Sequence, residues 1–199
     1  MVVLEGLVVG LAMVVFIGPV FFTLLQTTLE RGKSAGLSVA LGIFMSDVLV
    51  SFLCYSGASL WLTTAEANNW TALVGSILLL GLAIKYLTIQ PSMKVKSVSA
   101  TGLVTSFVKG FLINFVNPFV FVVWIGVTTA MRAQYIHEED HVLFLVPCLL
   151  GILFTDSIKV LSAHKLMRFF TQKHLQWIYR ICGIVLVIFA IRMGYSVIQ

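Results

Sequence analysis

Charge is scarce in this chain: 8 acidic and 13 basic residues among 199, or 11%, against 59% hydrophobic. A soluble domain of this length cannot hide that much apolar surface. With a mean hydropathy of +1.03, the composition calls for a bilayer. Cysteine is also rare. Cys54, Cys148 and Cys182 are an odd number, lie in apolar segments and form no C-x-x-C pair. That excludes a thiol–disulfide carrier or an iron–sulfur site and leaves buried, inert thiols. No P-loop, dinucleotide fingerprint, nucleophile elbow or zinc-helix motif is present. No ATP-driven machinery, cofactor, metal or enzymatic activity is therefore expected. The net charge of +5 comes without an Arg- and aromatic-rich surface, so nucleic acid is not an expected partner. The first residues lack a basic stretch and a small-residue cleavage site, and are expected to stay as a span rather than a cleaved signal.

Long uncharged runs are what the chain has instead. Spanning a bilayer as a helix takes roughly 20 apolar residues. The runs predict six spans, at about 6–28, 37–62, 70–90, 107–130, 142–163 and 175–198. Residues 91–106, rich in Ser, Thr and Lys and opened by Pro91, form a linker between two halves, 1–90 and 107–199. The basic residues follow the loops. Arg31 and Lys33, Lys94 and Lys96, and Lys165, Arg168 and Lys173 fall in the odd loops. The second loop has none, and Arg132 in the fourth is outweighed by Glu138, Glu139 and Asp140. Positive charge stays inside, so both termini are expected outside.

The halves repeat. Gly42 to Asp47, Gly-Ile-Phe-Met-Ser-Asp, matches Gly151 to Asp156, Gly-Ile-Leu-Phe-Thr-Asp. Gly18-Pro19 matches Asn117-Pro118, and Gly75 through Lys85 echoes Gly183 through Arg192. Three spans per half make an inverted-topology repeat, whose sites lie where broken helices meet near the midplane. Pro19 and Pro118 each stand mid-run. A proline inside a helix displaces the carbonyl four residues back, here Val15 and Asn114. Such carbonyls must be satisfied within the protein.

Few residues in these runs can do chemistry. Asp47 and Asp156 lie well inside spans, where a carboxylate is costly and faces the interior to pair or to bind. Lys159, three residues after Asp156, shares its helix face and competes with a functional role by simple neutralisation. Asn114 and Asn117 flank the second break and read equally as caps of a kink or as substrate contacts. Thr23 reads as a cap or as helix glue, and Gln26 is a weaker candidate still. Ser34, Ser38, Gly42 and Ser46, like Gly6 and Gly10, recur every four positions, a close-packing pattern. Trp61, Trp70 and Tyr135 fit an outer aromatic belt. His137 and His141 have metal-ligand spacing only on a helix, and the segment reads as an acidic loop.

These residues resemble the LysE/RhtB family of small amino-acid exporters over most of the chain. The likeness rests on Gly18-Pro19, on Arg31-Gly32-Lys33-Ser34-Ala35-Gly36-Leu37 through Gly42 to Asp47, and on Phe107, Gly110-Phe111-Leu112, Asn114 and Asn117-Pro118. Ser46 stands where the family commonly has Gly. The segment after Pro118, Phe119 to Trp124, is more apolar than the family's. The resemblance implies a proton-driven exporter of the bacterial inner membrane, often a homodimer, whose partners are a small-molecule substrate, protons and lipid. The wider superfamily also moves metal cations. The physics of broken helices agrees: each half-helix after a proline presents free N–H groups. Two such ends facing each other would hold a carboxylate, with Asp47 and Asp156 for an ammonium or a proton. A metal-cation exporter, an intramembrane enzyme and a non-transporting assembly subunit are the rival readings. The first needs clustered ligands and the second convergent acid–base groups, and both are sparse.

Overall fold

The computed structural model describes residues 1–56, 76–77, 80–81, 83–88 and 102–195, and every regular element among them is helical. The helices are α1 (Val2–Ala12), α2 (Pro19–Arg31), α3 (Lys33–Tyr55), α4 (Leu103–Phe115), α5 (Pro118–Gln134), α6 (Glu138–Leu161), the short α7 (Ala163–Met167) and α8 (Gln172–Tyr195). Residues 83–88 are helical as well. Among the described residues α3 and α6 are each long and apolar enough to cross a membrane. Two bent pairs, α1 with α2 and α4 with α5, pass the same test together, making up to four crossings. The predicted span 175–198 corresponds to α8. Most of span 70–90, residues 91–101, Trp61 and Trp70 lie outside the described residues, and the expected linker ends earlier than 106 because α4 already begins at Leu103.

Both prolines start the expected half-helices, but neither displaces an interior carbonyl as expected. After α1 the chain tightens into a 3-10 turn, Met13–Val15, runs extended at Phe16 and re-enters a helix with Pro19 in its first turn. The two axes differ by 76°. The first helix has already ended at Val15, so Pro19 removes no interior bond there; its missing N–H is one that a helix start leaves unpaired anyway. The second break, of 67°, is similar. The Asn117 N–H donates to the Asn114 carbonyl at 3.1 Å. The carbonyl expected to be orphaned by Pro118 is therefore satisfied. A proline passed over in the sequence, Pro147, sits inside α6 without ending it.

Glycines set which helices touch. A Cβ added at Gly6 would run into the Phe144 carbonyl, and one at Gly10 into that of Cys148, so α1 lies backbone to backbone on α6. Likewise Gly42 abuts Phe107, Gly110 abuts Val39, and the Ser38 hydroxyl donates to the Leu103 carbonyl at 2.5 Å, joining α3 to α4. In each pair the touching positions rise together, so the partners run parallel. The pairs also correspond: Val39 and Cys148 each lie three residues before the glycine of the Gly-Ile repeat. Small residues allow this approach where lipid offers no hydrophobic drive between helices. The third members of the two halves also meet. Tyr86 packs edge-on against Tyr179 of α8 at 5.5 Å, beside Ala83 and Leu186.

Candidate functional site

The two breaks open onto one cavity of about 370 Å³. Gly18, Pro19, Asp47, Asn114, Asn117 and Asp156 all line it, so six of the seven residues singled out in the sequence share one space. Pro118 starts α5 beside them. Lys159, Trp124 and an apolar wall that includes Leu24, Ile43, Val120, Val123 and Ile152 complete the lining.

Asp47 is held from one side. Its Oδ1 accepts from Asn114 Nδ2 at 2.9 Å and from the Trp124 indole N–H at 3.0 Å. Among the described residues both of these bonds go to Oδ1, and Asp47 lines the cavity. Asn114 also reaches Ser46 Oγ at 3.2 Å, a bond that glycine at 46 would not offer. α3, α4 and α5 thus each contribute one group to fixing the carboxylate. A buried carboxylate held by neutral donors keeps a defined position without a resident counter-charge.

Asp156 is built differently. Lys159 Nζ lies 2.9 Å from Asp156 Oδ1, both side chains nearly enclosed. Lys159 also sits 5.9 Å from the centre of the Phe21 ring, in the first turn of α2. The pairing expected from their spacing is present, and the pair still borders the cavity. Asp156 and Lys159 are close enough for their charges to act on Asp47.

The two half-helix starts are not equivalent. At α5, Asn117 Oδ1 accepts from the Phe119 N–H at 3.2 Å, so its side chain caps the helix. At α2 the cap position is Gly18, with no side chain to do this. A Cβ built at Gly18 meets nothing within 4 Å. The expectation that both ends stand open for a carboxylate is thus corrected: only the α2 end lacks a side-chain cap, and Lys159 is beside it. Thr23 bonds back within its own helix, donating to the carbonyl of Pro19 four residues earlier at 3.0 Å.

Away from the cavity, Glu138 to His141 are helical rather than a loop, and His137 stands just before α6 with no side-chain cap hydrogen bond. Its histidine is already engaged: His141 Nε2 lies 2.9 Å from the Tyr135 carbonyl and Nδ1 3.1 Å from the Tyr55 hydroxyl. Among the described residues no group of three or more His, Cys, Asp or Glu could hold a metal ion. Trp124 was missed in the sequence because a Trp in an apolar run reads as packing. The available signal was its N–H, which needs a partner once buried.

A family model described as LysE type translocator matches residues 11–197. A Bacillus subtilis (strain 168) protein named "Putative amino acid efflux protein YcgF" is 25% identical over 98% of this chain and 96% of its own length. Leucine efflux proteins of Salmonella typhimurium and Salmonella choleraesuis are 28% identical over 55% of this chain and 54% of theirs. No solved structure matches.

Proposed function

The chain belongs to the family of LysE-type translocators, and we propose that it exports neutral amino acids with apolar side chains in exchange for protons. The observation that carries this is the division of the cavity. The Asp47 carboxylate on one wall suits an α-ammonium. The uncapped start of α2, with Lys159 beside it, suits an α-carboxylate, because free N–H groups at a helix start favour anions. Between them Leu24, Ile43, Val120, Val123 and Ile152 offer an aliphatic surface. The volume falls in the range of small-ligand pockets, roughly 300–1,000 Å³. The leucine efflux proteins among the relatives are in keeping with that wall.

The same residues supply a coupling device. A substrate ammonium and a proton both seek the Asp47 carboxylate, and competition for one group is the simplest form of antiport. Alternating access would open the cavity first to one face and then to the other, as the two bent pairs rock about the parallel contacts of α1 with α6 and α3 with α4. Six crossings in two inverted halves fit those contacts. The charge distribution supports an orientation with the start of α1 outside and Arg31 inside, and a bacterial inner membrane is the setting this reading proposes.

Proteoliposomes loaded with leucine and given an inward proton gradient test the reading. Wild type is expected to export leucine uphill. Asp47→Asn is expected to retain leucine exchange at equal pH but to lose uphill export. Uphill export by Asp47→Asn at the wild-type rate would remove Asp47 from the coupling. Transport of divalent cations without transport of leucine would replace the substrate class.

A further inference from the structure

The strongest unexplained chemistry lies at the end of the molecule where α2 finishes and α3 and α4 begin. Arg31 is the last residue of α2, and Gly32, at φ 86°, turns the chain into α3. The Arg31 side chain turns inward: Nε and Nη1 are fully enclosed and, among the described residues, hydrogen-bonded to nothing. Ser106 on α4 is completely buried, and its hydroxyl also lacks a partner. One turn on, Lys109 reaches across to α2, where its ammonium donates to Thr27 Oγ1 at 3.2 Å. Thr27 is one turn before Arg31, and Lys109 is close enough to feel the charges of Arg31 and Glu30. Glu30 forms no ion pair with either; among the described residues the ion pair is that of Lys159 with Asp156.

Two cations, Arg31 and Lys109, thus lie near one another, and among the described residues the enclosed N–H groups of Arg31 have no acceptor. Enclosed N–H groups left unbonded are costly, and those of a guanidinium most of all. A guanidinium fork matches an oxyanion with two or more oxygens in one plane. The surroundings say which oxyanion. Lys109 stands on an exposed face of α4, and Val108, Leu112 and Val116 continue that face toward the second break. An anion held at Arg31 would therefore have an apolar track running down the helix from it. Lys33, exposed at the start of α3, adds attraction for a negatively charged leaflet. We propose that Arg31 and Lys109, where the end of α2 faces α4, bind the phosphate of an anionic phospholipid, with its acyl chains along α4. The proposal needs the helices to cross a bilayer, but it is independent of what is transported.

Native mass spectrometry of the full chain in detergent tests it, with dioleoyl phosphatidylglycerol, dioleoyl phosphatidylcholine and inorganic phosphate as separate probes. One phosphatidylglycerol is expected to be retained, with phosphatidylcholine held more weakly. Arg31→Gln is expected to weaken phosphatidylglycerol roughly tenfold or more, as loss of charge-assisted bonds to phosphate implies, Lys109→Gln to weaken it less, and Lys33→Gln to change it within about twofold, as an exposed charge acting at a distance does. Arg31→Lys, which keeps the charge and loses the fork, is expected to fall between wild type and Arg31→Gln. It also serves if Arg31→Gln does not elute as a folded species. Equal retention of the two lipids, or retention unchanged in both Arg31 variants, overturns the proposal. Binding of inorganic phosphate with no retained lipid would overturn the lipid source and leave a free-anion site.

Discussion

Removing one hydrogen bond reads out the state of Asp47. Trp124→Phe keeps a ring in the core and deletes the indole N–H that meets Asp47 Oδ1 at 3.0 Å. The hole left by the smaller ring costs the same whether or not Asp47 is present, so a cycle with Asp47→Ala cancels it. What remains is the coupling between the two side chains. A hydrogen bond to an ionised partner contributes about 1.5–3 kcal/mol, against about 0.5–1.5 for a neutral pair. Polar pairs between membrane helices average about 0.6 kcal/mol. If Asp47 cycles between protonated and ionised forms, the coupling must depend on pH. It should approach about 0.6 kcal/mol at the acid end of the stable range and exceed about 1.5 kcal/mol at the alkaline end. Unfolding of the detergent-solubilised protein by sodium dodecyl sulfate, followed by far-ultraviolet circular dichroism, measures all four corners at each pH. A coupling that stays near 0.6 kcal/mol at every pH would mean that Trp124 merely ties α5 to α3, and the proton-carrier role of Asp47 would fall with it.

Gly10→Ala and Gly110→Ala place a methyl against the carbonyls of Cys148 and Val39, and each is expected to destabilise by about 1–3 kcal/mol. Gly18→Ala, extended at φ −145° with open space around it, should cost less than about 0.5 kcal/mol; the same unfolding assay ranks the three. The Tyr135 hydroxyl donates to Glu5, which pushes its ionisation up from 10.0 to about 12. The stabilisation from that bond should be complete below pH 10 and disappear as pH rises toward 12, because the unfolded chain releases the proton first. Glu5→Gln should bring the alkaline absorbance titration of Tyr135 back down, and an unchanged titration would discard the bond. In a cysteine-free background, Glu139→Cys should label with an impermeant thiol reagent from outside and Lys33→Cys should not. The reverse pattern would invert the orientation.

Much of this site was legible because a bilayer makes polar residues conspicuous. Asp47 and Asp156 stood out in uncharged runs, and two mid-run prolines marked the breaks. The mode of breaking was also written, and was misread. Asn-Pro is a cap followed by a residue suited to the first helical turn, so Asn117-Pro118 specifies a helix start rather than an interior kink. Glycines at four-residue spacing announced close packing but not with what. Gly6 and Gly10 face α6, more than a hundred residues away, and nothing local in sequence names that partner. Trp124 was illegible for a different reason. Its apolar neighbours Val123 and Ile125 have no polar group to satisfy, and only the tertiary placement of α5 against α3 aims one N–H at one carboxylate.

The differences between the halves bear on mechanism more than the likeness does. A strict inverted repeat would give two equal carboxylates and two equal helix starts, and a cavity so built would hold a zwitterion equally well in either sense. Here the symmetry is broken at each element. Asp47 is fixed by the neutral groups Asn114 and Trp124, whereas Asp156 is paired with Lys159. The α5 start is capped by Asn117, whereas the α2 start is left without a side-chain cap by Gly18. Each substitution moves one charge preference to one side: the acceptor for a cation stays with α3, and the donors for an anion stay with α2 and Lys159. Under the proposed function, an inverted repeat would supply two access routes to one cavity, and these differences would give a bound amino acid a single orientation within it.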